Sequence, residues 1–179
     1  MAAQFTDTTG VMNLSEKINE PAAVALISEL PPGALQKLLE PYGLALDWQP
    51  ANADLAGSYW GAPEAGLVAN RLVLRPDTPV HSALHEACHF ICADLSRRKS
   101  LHTDAGGDDL EECGVCYLQC LLAGALPGYS RERMWADMDA WGYSFRLGSA
   151  QAWFENDASD ARAWLQQRGL LGPGLNDIC

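Results

Sequence analysis

The segment His85-Glu86-Ala87-Cys88-His89 has the pattern H-E-x-x-H and lies in the middle of a predicted helix. Side chains four residues apart project from one helical face, so the two imidazoles can reach a single metal ion. Glu86 would then be turned towards a metal-bound water, from which it can accept a proton. The spacing predicts a metal centre with His85 and His89 as ligands and Glu86 as a catalytic residue. The alternative interpretation is two hydrogen-bonded core histidines beside a solvated glutamate.

Two ligands do not hold an ion stably, and the sequence offers Glu111 and Glu112 as candidates for the third. Both stand at the start of a second, almost wholly apolar helix, where a carboxylate is rarely buried unless it is paired or coordinated. Glu111 shares a helical stripe with apolar residues and with Gly114, which would permit close approach to the first helix. Glu112 shares its stripe with Cys116 and Gln119. We favour Glu111 as the third ligand and keep Glu112 as the alternative.

Three further residues are candidates for contact with a substrate or a developing oxyanion. His81 lies one turn before the H-E-x-x-H motif, and Tyr143 and Arg146 follow a predicted helix end. A phenol and a guanidinium near a metal can stabilise developing negative charge. The alternatives are a surface position for His81 and a bend anchored by Tyr143 and Arg146. His102 and Asp104 lie in a loop that could fold over the site, although a plain surface role is the simpler interpretation.

Cys113 and Cys116 form a C-x-x-C pair of the kind used in zinc and redox sites. The pair lies within one helix and has no second C-x-x-C to support it, although Cys88 and Cys92 could complete a four-thiol site. We expect these cysteines to be small core residues instead. Since no export signal is evident, reduced thiols are expected.

The motifs resemble those of gluzincin-type zincins, in which a glutamate on a second helix completes the site. The stretch Glu111-Glu112-Cys113-Gly114 is similar to the Glu-x-x-small pattern of that group. Val115 stands where the group has an acidic or amide residue, so the hydrogen bond made by that residue is not expected here. The resemblance implies a metallopeptidase-like activity.

A narrower resemblance links residues 58–125 to the bacterial elongation factor P hydroxylase family. It is carried by Asn70-Arg71-Leu72-Val73, by Ala83-Leu84-His85-Glu86 with His89-Phe90, and by Arg97-Arg98. The resemblance implies iron-dependent oxygen chemistry with two histidines and a glutamate, carried over to His85, His89 and Glu111 or Glu112.

Three functions are compatible with this ligand set, and the first is our prediction. In a zinc hydrolase of peptidase type, Zn²⁺ lowers the pKa of its bound water and Glu86 takes the proton. In a non-haem iron oxygenase, Fe²⁺ keeps positions open for oxygen and substrate. In a non-catalytic metal-binding domain the site would be structural, but structural zinc normally has four protein ligands.

The elements that must position these residues follow from hydrophobic periodicity and helix breakers. Thr78 as N-cap and Pro79 in the first turn predict a helix over 80–96, followed by a loop and a buried helix over 110–126. Strands are predicted at 44–48, 58–60 and 67–74. Shorter helices are predicted at 21–30, 33–39, 131–141, 150–155 and 159–168. The pattern is typical of an α+β fold, with a small antiparallel sheet packed on the helix pair that carries the metal site.

We expect one domain over residues 1–179. Residues 1–20 are expected to be loosely ordered and 21–43 to form a helical cap. The strands and metal-site helices should occupy 44–126, and 127–179 should form a helical C-terminal part.

The chain carries 23 acidic against 12 basic residues, a net charge of −11. This balance argues against nucleic acid and anionic membranes as partners and leaves a peptide or protein substrate, or a small polar one. The one basic run, Arg97-Arg98-Lys99, is expected at a helix C-terminus. Neither a signal peptide nor an apolar run of membrane-spanning length is evident, which predicts a cytoplasmic protein. The oligomeric state is not predicted.

Overall fold

The structure is a computed structural model and describes residues 23–171 of the chain. The predicted loose order of residues 1–20 lies outside this range, as does the start of the predicted cap helix. The strands between residues 23 and 171 are β1 (Ala45–Trp48), β2 (Gly66–Val68) and β3 (Arg71–Leu74). The helices are α1 (Ala34–Leu39), α2 (Val80–Cys92), α3 (Leu95–Arg98), α4 (Asp109–Ala125), α5 (Arg131–Trp141), α6 (Ala150–Asn156) and α7 (Ser159–Gln167).

The three strands form a small mixed sheet in the order β1-β3-β2. β1 runs parallel to β3, with Leu46 opposite Leu72, and β2 runs antiparallel to β3. A tight turn can join only antiparallel strands, whereas the long segment 49–65 lets β1 lie parallel. The predicted α+β class is confirmed, but the sheet is mixed rather than wholly antiparallel.

Two of the three predicted strands differ from the structure. The predicted strand over 67–74 is a hairpin, because Ala69 takes a positive φ of 51° and forms the turn with Asn70. An Ala-Asn pair lacks the Asn-Gly or Asp-Gly signal that marks most such turns. The predicted strand over 58–60 is wrong. Tyr59 and Trp60 lie in an irregular exposed segment and contact each other edge to face, with ring centroids 5.0 Å apart.

Polar side chains lie near both ends of α2. α2 begins directly after Pro79, as predicted, but Thr78 does not cap it, since its Oγ1 accepts a hydrogen bond from the backbone N–H of Arg75. α2 ends four residues before the predicted position because Asp94 accepts backbone N–H groups and starts α3. The guanidinium of Arg98 donates to carbonyls at the end of α2, which confirms the predicted place of the basic run at a helix C-terminus.

α4 is the central helix and packs on α2, α5 and α7. A Cβ atom added at Gly114 would lie 2.7 Å from Cε3 of the Trp164 ring. Gly114 therefore permits close approach of α7, not of α2. This contact fixes the rotation of α4 about its axis and decides which stripe of the helix faces the H-E-x-x-H motif.

The helical C-terminal part agrees closely with prediction. α5 spans the predicted range, and α6 and α7 each differ from it by one residue at one end. The predicted cap contains α1 but only a single 3-10 turn, Ile27–Glu29, in its earlier half. Buried apolar side chains from Ala25 to Leu165 form one continuous cluster. None of the helices between residues 23 and 171 combines the length and apolar character that a membrane crossing requires.

Candidate metal centre

Three donor groups converge where α2 meets the first turn of α4. The Nε2 atoms of His85 and His89 lie 3.1 Å apart. Oε1 of Glu112 lies 3.3 Å from His85 Nε2, and its Oε2 lies 3.5 Å from His89 Nε2. The helical spacing of the two histidines therefore places both ring nitrogens beside one carboxylate.

These separations match those of donors that share one ion. Zinc binds nitrogen and oxygen at about 2.0–2.2 Å, so donors at the corners of a tetrahedron lie about 3.3 Å apart. The measured distances of 3.1, 3.3 and 3.5 Å bracket that value. The same spot also has sulfur close by, because donor atoms of His85, Glu112 and Cys116 all lie within 4.8 Å of one another. The residues thus fit a metal ion held by two imidazoles and one carboxylate.

The structure reverses the preference between the two glutamates. Glu111 forms a bidentate ion pair with Arg97, with both N–O distances at 2.9 Å, and Arg97 also donates to the carbonyl of Ala105. The carboxylate of Glu112 is the one that contacts the histidines. The prediction of Glu111 as ligand assumed that the apolar stripe of α4 faces α2, but Gly114 on that stripe packs on α7.

Gln119 orients His85 from behind. Its Nε2 donates to the carbonyl of His81 at 2.8 Å, which leaves Oε1 facing His85 Nδ1 at 3.2 Å. An amide oxygen only accepts, so Nδ1 carries the proton, and Nε2, which faces Glu112, is the nitrogen that can bind a metal ion. Gln119 is fully buried, and its hydrogen bonds, which include a further contact of Nε2 with Met134 Sδ at 3.4 Å, hold it in this orientation.

Glu86 lines one cavity of about 780 Å³ together with the three donor residues His85, His89 and Glu112. Burial raises the pKa of Glu86 to about 7; its neighbours Glu64 and Glu112 raise it as well, while His85 lowers it. Trp141 donates its indole N–H to Glu64 at 3.1 Å, which fixes one wall of the cavity. A carboxylate with a pKa near neutral, beside three candidate metal ligands, can accept and return a proton.

The three residues predicted to contact substrate or oxyanion have different outcomes. Tyr143 lines the cavity with its ring centroid 5.8 Å from that of His85, and burial raises its pKa to about 12, so the phenol is protonated. His81 is fully buried against Trp141 and Tyr143 and does not line the cavity. Burial lowers the pKa of His81 to about 4. Arg146 forms an ion pair with Asp157 and does not line the cavity.

Neither ring nitrogen of His81 has a hydrogen-bond partner among the described residues. A neutral, unpartnered imidazole in the core is an unusual use of a histidine, and its low pKa follows from that burial. His81 contributes to the wall behind the cavity through its ring rather than through its nitrogens.

The two loop residues differ in their position relative to the cavity, and the cysteines differ in their surroundings. Asp104 lines the cavity, whereas His102 is exposed and contacts Thr103. The cysteines among residues 23–171 are free thiols, and those on α2 are buried, as expected of core residues. Cys116 differs, because it lies beside the donors rather than only among apolar groups.

Gln119 and Glu64 are site residues whose roles are not predicted from the sequence. Gln119 had a signal, since a fully buried amide on an apolar helix must find partners. Glu64 had none, because a turn-rich stretch gives no indication that its carboxylate faces α2, which begins sixteen residues further along.

Comparison of the chain with protein-family models, with curated proteins and with solved structures gave no significant match. The resemblances to gluzincins and to elongation factor P hydroxylases therefore stay predictions. Function has to be argued from the site itself.

The hydrogen bond from His85 to Gln119 gives a direct test of the site. Replacing Gln119 with Leu removes the acceptor that fixes the ring, and such partners typically contribute 10–100-fold to metal affinity. We expect the Kd for zinc, measured by competition with a chromophoric chelator, to rise by about that factor. Leu122→Ala, a buried change one turn further along α4, serves as the control and should leave the Kd unchanged. Equal zinc affinity in the Gln119→Leu variant and the unaltered protein would contradict the orientation described here.

Proposed function

We propose that the protein is a zinc-dependent hydrolase of peptidase type. The observation that carries the proposal is the triangle of His85, His89 and Glu112 donors at the floor of a cavity that Glu86 also lines. Three protein ligands leave a fourth position for water or substrate, which is the arrangement of catalytic rather than structural zinc.

A zinc ion held by these residues would lower the pKa of a coordinated water and polarise the carbonyl of the scissile amide bond. Glu86 is the proton acceptor. It is half-buried on the cavity wall. The neighbouring groups that shift the pKa of its carboxylate act through their charge and not through hydrogen bonds, so the carboxylate is available to accept a proton. The same group then donates the proton to the departing amine.

In the proposed reaction Tyr143 is the oxyanion donor. Its phenol is half-buried at the cavity wall, near the ring of His85, and is protonated at neutral pH. A hydrogen bond aimed at developing negative charge is most effective where water is excluded. We assign the hydrogen bond to the developing oxyanion to Tyr143 alone and not to Arg146.

Zinc is favoured over iron by the sulfur beside the site. Thiolate ligands suit zinc, whereas a set of two histidines and one carboxylate suits zinc and iron(II) alike. Cys116 adds a soft donor within 4.8 Å of His85 and Glu112. An iron oxygenase is the alternative, and the metal content of the purified protein separates the two.

Glu86→Gln tests the proposed chemistry. The amide keeps the shape of the side chain but cannot accept the proton, so peptide hydrolysis should fall by about 10²–10⁴-fold while zinc is retained. Activity is measured on quenched fluorescent peptide pools, and metals by mass spectrometry of protein purified without a metal-binding tag. Glu132→Gln makes the same change on the exposed part of α5 and should keep full activity. Iron with oxygen-dependent turnover, or hydrolysis that survives in Glu86→Gln, would overturn the hydrolase proposal.

The cavity also favours a substrate with positive charge. Its lining contains six carboxylates and neither lysine nor arginine, the acidic residues being Glu64, Glu86, Asp104, Asp108, Asp109 and Glu112. Aromatic rings complete it, with Tyr59 and Trp60 at 59% and 77% exposure. Carboxylates attract a cation over distance, and an aromatic face holds it at contact.

We therefore expect peptides with lysine or arginine beside the scissile bond to be cleaved with higher kcat/KM than matched peptides with glutamate. The difference should shrink as salt rises, because exposed charges are screened over about 10 Å at 0.1 M. Asp104→Asn should also reduce the difference in kcat/KM between the basic and the acidic peptides. A preference for acidic peptides, or one that salt leaves unchanged, would contradict this assignment of the substrate.

A further inference from the structure

Cys116 lies one helical turn after Glu112, and its thiol faces the same spot as the metal ligands. Its Sγ lies 4.0 Å from Glu112 Oε1, and donor atoms of Cys116, Glu112 and His85 fall within 4.8 Å of one another. The side chain is buried, and it lines a second cavity of about 430 Å³ rather than the one that Glu86 lines.

The neighbouring cysteines do not share this position. Cys113 lines the second cavity half-buried, while the Cys120 thiol contacts the sulfur of Met138. Cys88 is fully buried in the apolar core of α2. Among the described cysteines, Cys116 alone is grouped with a histidine and a carboxylate. Of the C-x-x-C pair, Cys116 lies with the candidate ligands and Cys113 does not.

Sulfur at this distance is almost within reach of a shared ion. Zinc–sulfur bonds are about 2.3 Å, so a sulfur and an oxygen bound to one tetrahedral zinc lie roughly 3.5 Å apart. The carboxylate of Glu112 is about half exposed, and a small rotation of its side chain closes the gap from 4.0 Å.

We propose that Cys116 is an exchangeable fourth ligand that closes the metal centre. The inference rests on the proposed centre formed by His85, His89 and Glu112. On closure the Cys116 thiol would give its proton to solvent, and its sulfur would take the ligand position that a water would otherwise hold beside His85, His89 and Glu112. The closed state has four protein ligands, as structural zinc sites do, and the open state has three. Closure would therefore convert a three-ligand centre that can bind water into a four-ligand centre that cannot.

The test uses cobalt(II) in place of zinc, because a thiolate–cobalt bond gives a charge-transfer absorption band that nitrogen and oxygen ligands do not give. The cobalt-loaded protein should show this band. Cys116→Ser should lose the band and keep the cobalt, whereas Cys113→Ser, the matched control three residues away, should keep both.

Alkylation gives a second measurement, which uses the unaltered protein and therefore does not depend on whether a variant folds. Iodoacetamide labelling of Cys116, followed by peptide mass spectrometry, should be slower with metal than after chelation, and Cys113 should label equally in both states. Cobalt bound without the band, or a band that survives in Cys116→Ser, would overturn the role of Cys116 while leaving the proposed centre intact. Failure of the unaltered protein to bind cobalt or zinc would overturn the centre itself, and the inference with it.

Discussion

The contact between α2 and the polar stripe of α4 is the interaction on which the site depends. Glu112 on that stripe meets both histidines, and Gln119, two turns later, holds the ring of His85. Two independent contacts prevent α4 from turning away. Gly114 lets Trp164 lie directly on the opposite side, and Arg97 holds Glu111 in a bidentate pair. A rotation that brought Glu111 to the histidines would break both of these contacts.

The Arg97–Glu111 pair also links the site to the loop above it. Arg97 donates to the carbonyl of Ala105, and Gly107 beyond it has a φ of 120° with Glu111 directly against it. An added Cβ at Gly107 would lie 2.9 Å from the Glu111 carboxyl carbon. The loop thus lies over the cavity because the residue next to the candidate ligand fixes it there.

Local pattern predicted much of this arrangement. The H-E-x-x-H spacing predicted that His85 and His89 share a face, and the ranges of α4 and α5 followed from apolar periodicity and flanking breakers. What local pattern could not supply was the relative rotation of two packed helices. Glu111 and Glu112 differ by one position, about 100° around the helix, and the choice depends on Trp164, fifty residues away. The parallel pairing of β1 with β3 is long-range in the same sense, and the hairpin at Ala69 carried no strong turn signal.

The central claim is that Glu112, and not Glu111, completes a metal centre with His85 and His89. It is tested most directly by the metal content of Glu112→Gln and Glu111→Gln, measured by mass spectrometry on protein shown by circular dichroism to be folded. We predict that the unaltered protein and Glu111→Gln each hold one metal ion per chain and that Glu112→Gln holds almost none. Full metal content in Glu112→Gln would contradict the account, as would its loss in Glu111→Gln alone.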